Sequence, residues 1–147
     1  MEREKILIDR NVFVEFLVKQ ERAIESLNVM VMVEEEKFEA FVTGFSLHTI
    51  EVILDRNKKY VLLEQFLKRV TNAQALTVYQ TTLQEEREIA LLAPQVGFDF
   101  DDGLQYFVTK AVGASFVSFD HDFDKTDLKR IEPDALMQNH GESQSFS

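Results

Sequence analysis

Two textures of apolar residues alternate along the chain: short continuous runs, and longer stretches in which apolar positions recur every three or four residues. The first suits strands buried on both faces, the second helices that bury one face. Lys5-Ile-Leu-Ile-Asp9 reads as a short buried strand ending on a carboxylate, and Val12, Phe13, Phe16 and Leu17 mark a helical face after it. From Glu21 to about Glu36, Ala23, Ile24 and Leu27 suit a helix, whereas Val29-Met-Val-Met-Val33 suits a strand equally well. The absence of a turn signal before Glu34-Glu-Glu-Lys37 favours the helix.

Phe38-Glu-Ala-Phe-Val-Thr43 is the second predicted strand, closed by Gly44. Ser46 is placed to cap the next helix, whose stripe is Leu47, Ile50, Glu51 and Leu54. Asn57-Lys-Lys59 ends it, and Leu63, Phe66, Leu67 and Val70 mark another. Ala75-Leu-Thr-Val-Tyr79 is a third strand. Thr82 and Glu85 fit a capping box that opens a helix ending near Pro94. Asp99 caps the following helix, with the stripe Leu104, Phe107, Val108 and Ala111, and Ser115-Phe-Val-Ser-Phe119 is the fourth strand. Asp124 to Leu136 mixes the signals of a short helix and an edge strand, and residues 138–147 read as a polar, disordered tail. Strands alternating with helices predict an α/β fold, a mainly parallel sheet with helices on both faces.

Composition narrows the chemistry. The 147 residues fit one domain, and the absence of cysteine excludes disulfides, thiolate metal sites and a cysteine nucleophile together. No run approaches the roughly 18 apolar residues of a membrane span, and the expectation is a cytoplasmic protein. A net charge of −10 argues against binding nucleic acid through a basic surface. It leaves open an acidic centre that works through divalent cations.

Four acids stand out by position. Asp9 and Asp120 end the first and fourth strands, Asp102 lies in the first turn of its helix, and Glu51 interrupts an apolar stripe. Ligands of open α/β sheets bind beyond the carboxyl ends of the strands, which is where such acids gather. Carboxylates converging without cationic partners raise one another's pKa, and a hard divalent ion relieves that repulsion. Asp99 and Asp102 also have a purely structural explanation, because carboxylates favour helix N-termini.

At these residues the chain resembles the PIN domain family, the nuclease fold of VapC-type toxins and RNA-processing enzymes. Ile6-Leu-Ile-Asp-Arg-Asn-Val-Phe13 is similar to that family's opening strand, and Ser46–Ile53 to the helix bearing its second acid, Glu51. Asp99-Phe-Asp-Asp-Gly-Leu-Gln105 resembles a variant of the third motif and points to Asp102. Phe116-Val-Ser-Phe-Asp-His-Asp-Phe123 resembles the fourth. The resemblance implies a three-layer α/β/α sandwich over residues 1–137. It implies Asp9, Glu51, Asp102 and Asp120 as catalytic residues around Mg²⁺ or Mn²⁺, supported by Asn11 and Ser118. The implied activity is hydrolysis of RNA phosphodiester bonds, single-stranded or structured, as the toxin of a toxin–antitoxin pair. A small antitoxin and a second copy of the chain are the implied partners.

Two residues depart from the family pattern. Arg10 stands where a small residue is usual, beside Asp9, and either pairs with a carboxylate or reaches a substrate phosphate. Gly103 replaces the usual Ala and loosens its helix slightly. The competing readings are a catalytically inactive, protein-binding PIN-like domain and a phosphatase of another α/β class, to which Asp9, Asn11 and Asp101-Asp102 bear a fainter similarity. His121 and the strip Lys58, Lys59, Lys68 and Arg69 are read as solvated surface.

Overall fold

In the computed structural model, which describes residues 2–145, five parallel strands form one sheet in the order β3-β2-β1-β4-β5. The strands are β1 (Lys5–Ile8), β2 (Glu39–Thr43), β3 (Leu76–Tyr79), β4 (Ser115–Val117) and β5 (Arg130–Ile131). The helices are α1 (Arg10–Leu17), α2 (Ala23–Glu34), α3 (Gly44–Arg56), α4 (Tyr60–Asn72), α5 (Leu83–Gln95), α6 (Phe100–Val112) and α7 (Pro133–Ser145), with a 3₁₀ turn at His121–Lys125. Among the described residues, no helix is long and apolar enough to cross a membrane.

Side-chain alternation along the central strand builds the two outer layers. Ile6 and Ile8 enter a core with Val12, Phe13, Met30, Val33, Ile50, Leu54, Phe66 and Leu136, from α1–α4 and α7. Leu7 enters the opposite core with Ile89, Ala93, Leu104, Val108, Phe116 and Phe123, built on α5 and α6. Ile6, Leu7 and Ile8 are each at most 1% exposed, so a one-residue slip of register would exchange both layers. The three-layer α/β/α sandwich follows from that alternation.

Of three local expectations, one is borne out and two change. The Val29–Val33 run is the helix that the missing turn signal favoured, so there the change is only in the reason for its strand-like texture: α2 packs against both α1 and α7, and burying Val29, Met30, Met32 and Val33 on two sides blurs its helical periodicity. Helix α3 is capped by Thr43, whose Oγ1 accepts from the Ser46 N–H at 3.1 Å, so Ser46 lies inside the first turn and Gly44 opens the helix. The expected tail enters as a continuation of α7 to Ser145, and His140 lies edge-on to Phe38 with its Nε2 3.1 Å from Glu4. Residues 146 and 147 lie outside the described residues.

The sheet reverses its order of growth at β1. From there β2 and β3 extend one way, β4 and β5 the other, which makes the carboxyl ends of β1 and β4 the switch point where such sheets bind ligands.

Candidate active site at the carboxyl edge of the sheet

Asp9 follows β1 and caps α1, accepting from the Arg10 N–H at 2.8 Å. Its own N–H donates to Val117 O at 2.9 Å, tying it to the end of β4. Ser118, fully buried there, donates its hydroxyl to Asp9 Oδ2 at 2.7 Å. The same Oγ accepts from Asn11 Nδ2 at 3.2 Å and from the Asp120 N–H at 2.9 Å. One hydroxyl thus uses its single donor and both acceptor positions to join Asp9, Asn11 and Asp120. Asp120 caps the 3₁₀ turn by accepting from the Asp122 N–H.

Helix α6 brings the third acid from the opposite side. Asp99 caps it, accepting from the Asp102 N–H at 2.9 Å, and Gly113 ends it in the left-handed conformation at φ 71°. Its buried face is Gly103, Leu104, Gln105, Val108 and Thr109, rotated from the expected stripe: Ala111 is exposed and Phe107 half-buried. Two polar residues tolerate that burial because they are bonded. Gln105 Nε2 donates to Thr43 Oγ1 at 3.1 Å, and Thr109 Oγ1 donates to Gln105 O at 2.7 Å. Gly103 has a packing reason, since a Cβ there would lie 2.6 Å from Ala93 Cβ on α5. The glycine lets α6 sit close enough to α5 to aim its first turn at Asp9.

The electrostatics of this edge are those of acids short of countercharge. Asp9 is raised to about 6, by burial above all, against the lowering effects of the Ser118 hydroxyl and the Arg10 charge. Asp102 is also raised to about 6, first by burial and then by the negative charges of Asp99, Asp101, Asp120 and Asp9. Asp9, Asp102 and Asp120 therefore share one electrostatic site. Arg10 ion-pairs with Asp101, the acid that sequence reasoning left as a bystander, and Gln105 Nε2 also reaches Asp101 at 3.4 Å.

Glu51 stands apart from that group. It lies on α3, partly exposed, with its Oε1 2.7 Å from His48 Nδ1, and it is not among the charges that chiefly act on Asp9 or Asp102. Among the described residues, no three Asp, Glu, His or Cys side chains are gathered closely enough to enclose an ion. Carboxylates without a cation between them favour separation, in keeping with two of them held near 6. The donors at this edge are nevertheless all oxygen, a set that suits a hard divalent cation rather than a soft one. His121 is engaged on the outer side, 3.0 Å from Arg130 Nη2 and 3.3 Å from Asp124, and Arg69 pairs with Glu34.

Sequence reasoning missed Asp101, Gln105 and Thr43 as parts of this edge. The signal was a polar residue, Gln105, placed one turn after Asp101 between apolar neighbours; its partner Thr43 is 62 positions away and invisible to local pattern.

A parallel α/β sheet with acids collected at its switch point defines a broad class of α/β domains that bind their ligands at that edge. Within that class the chain belongs to the PIN domain family, whose model matches residues 6–129; members of that family are generally nucleases. The fold is similar to the crystal structure of PAE2754 from Pyrobaculum aerophilum, with TM-score 0.63 and 14% identity over 95% of this chain and 97% of that one. It is also similar to a toxin–antitoxin complex from Klebsiella pneumoniae, with TM-score 0.64 and 14% identity over 87% of this chain and 97% of that one. Comparison with curated proteins gives no match.

Proposed function

We propose that this PIN domain is a divalent-metal-dependent endoribonuclease acting as the toxin of a toxin–antitoxin pair. The observation that carries the reading is Asp102, raised to about 6 by burial and by four neighbouring acids, opposite a buried Asp9 raised equally. Asp9, Asp102 and Asp120 are the residues that would hold Mg²⁺ or Mn²⁺. Once bound, such an ion supplies countercharge for a phosphodiester and a more acidic water. The chain's own part is positional. Ser118 holds Asp9 and the Asp120 backbone, Asn11 holds Ser118, and the Thr43–Gln105 bridge joins the cap of α3 to the second turn of α6. Glu51, at the outer side on α3, is assigned to orienting water or substrate, which requires it to leave His48.

The toxin assignment is supported by the fold shared with the Klebsiella complex. RNA as substrate, a small antitoxin, a homodimer and a cytoplasmic location go with it. The test is cleavage of a mixed RNA pool with Mn²⁺, with chelator, and with Asp102→Asn. Cation-dependent cutting that disappears in the variant supports the reading; cutting unchanged in Asp102→Asn, or none under any condition, overturns it. The Arg10–Asp101 pair favours one second reading, a non-catalytic binding domain, because it supplies part of the missing countercharge from within. That reading predicts no thermal stabilisation by Mn²⁺.

A further inference from the structure

Phe45 and Phe100 are large apolar side chains left open beside the acids, 42% and 37% exposed. Each lies in the first turn of a helix at the carboxyl edge of the sheet, Phe45 on α3 and Phe100 on α6, directly before Asp101-Asp102. Their ring centroids are 6.4 Å apart at an interplanar angle of 56°. The buried Thr43–Gln105 bond joins the cap of α3 to the second turn of α6, so the two helix starts that carry the pair are tied together. From Phe45 a groove of about 480 Å³ runs along α3, lined by His48, Thr49, Val52, Ile53 and Arg56. It departs from the acid cluster and ends on a cation.

We infer that Phe45 and Phe100 form a stacking shelf for an unpaired base next to the scissile phosphate, with the α3 groove taking the adjoining nucleotide. The inference rests on the ribonuclease reading and narrows its substrate to single-stranded RNA. Every base presents a π-face, so exposed aromatics bind single strands without hydrogen-bond readout. A base held in a duplex cannot reach the shelf without unstacking. Stacking also suits a surface of net charge −10, because it draws the nucleic acid to the site without a basic field. Arg56, about 16 Å along the helix from Phe45, is placed for a backbone phosphate.

Binding is read from the fluorescence of 2-aminopurine in a short single-stranded RNA, on the Asp102→Asn background with Mn²⁺ so that the strand is held and not cut. Stacking quenches the probe. Phe45→Ala and Phe100→Ala are each expected to weaken binding about 5- to 150-fold, the range for losing one stacked base. Phe45→Trp restores what Phe45→Ala loses, and the duplex form of the same RNA leaves the probe unquenched. Circular dichroism melts confirm that the variants fold. The shelf is overturned if the alanine variants bind the single strand as tightly as their parent. It is equally overturned if they bind weakly only because the protein's mass in solution has changed, which makes the pair a contact between copies. The ribonuclease reading fails separately: a wild-type chain that quenches the probe but cuts no RNA keeps the shelf and loses the activity.

Discussion

Arg10 at the start of α1 and Asp101 in the first turn of α6 form an ion pair across the mouth of the acid cluster. The side chains are 33% and 18% exposed, so the pair is only partly screened by water. Of the two readings of Arg10, pairing with a carboxylate or reaching a substrate phosphate, the ion pair bears out the first, with Asp101 as the carboxylate. The Arg10 guanidinium neutralises Asp101, an acid of the cluster that the metal assignment leaves unused.

Removing the guanidinium should therefore strand Asp101. Arg10→Ala is expected to lower stability by about 1–2 kcal/mol, the scale for leaving a partly buried charge unpaired. Asp101→Asn should cost less, and the double variant less than the sum, because the two residues form one interaction. Urea denaturation with chelator measures all three, and additive losses would deny the coupling. Added Mn²⁺ should restore Arg10→Ala more than wild type, since that variant has the larger deficit of positive charge.

Stability of the metal-free protein should fall as pH rises. Asp9 and Asp102 have folded-state pKa values of about 6, above the 3.8 of an unperturbed aspartate, so below 6 the folded chain holds more protons than the unfolded one. Stability is then greatest near pH 4 with respect to these groups, decreases between 4 and 6, and levels off above. For the buried Asp9 the change is roughly 3 kcal/mol. Melting temperatures in chelator between pH 4.5 and 7.5 test the sign, with the slope reduced in Asp9→Asn.

Ser118→Ala removes what is, among the described residues, the only side-chain hydrogen-bond donor to the buried Asp9 carboxylate, and an acceptor for two other groups. It is expected to cost about 1–3 kcal/mol and to raise the Asp9 pKa further. The paired readout is denaturation and the carboxylate's NMR titration midpoint; a destabilised protein with an unmoved midpoint would mean that Ser118 only packs.

Gly103→Ala should destabilise the chain by about 1–3 kcal/mol even though alanine is the better helix former by about 1 kcal/mol. The added methyl meets Ala93 Cβ, and Ala93→Gly should recover part of the loss. A more stable Gly103→Ala protein would contradict the close approach of α5 and α6.

These residues show how far the sequence carries. Four strands were readable because β1 to β4 are short apolar runs between helical stretches, whereas the two-residue β5 lay in a stretch of mixed signals; Asp9 and Asp120 stood out because each directly follows such a run. Ser118 was indicated only by the resemblance of Phe116–Phe123 to the fourth motif. The identity of the Arg10 partner was not, because Asp101, 91 positions away, is one of several acids in a single helical turn. Nor was the role of Gly103, since helix propensity describes an isolated helix and the methyl that forbids alanine sits on α5. Glu51 shows the opposite limit: a charged residue in an apolar stripe suggested a buried acid, whereas on α3 it is partly exposed and paired with His48.

The central claim is that Asp9, Asp102 and Asp120 hold one divalent cation, and counting free Mn²⁺ by electron paramagnetic resonance tests it most directly. The account predicts that the wild-type chain at pH 7.5 removes Mn²⁺ from solution and that affinity falls as pH drops through 6. It also predicts that Asp9→Asn and Asp102→Asn each weaken binding at least about tenfold, the scale of 1.4 kcal/mol. Equal Mn²⁺ uptake by wild type and both variants, or uptake indifferent to pH across that range, would contradict it.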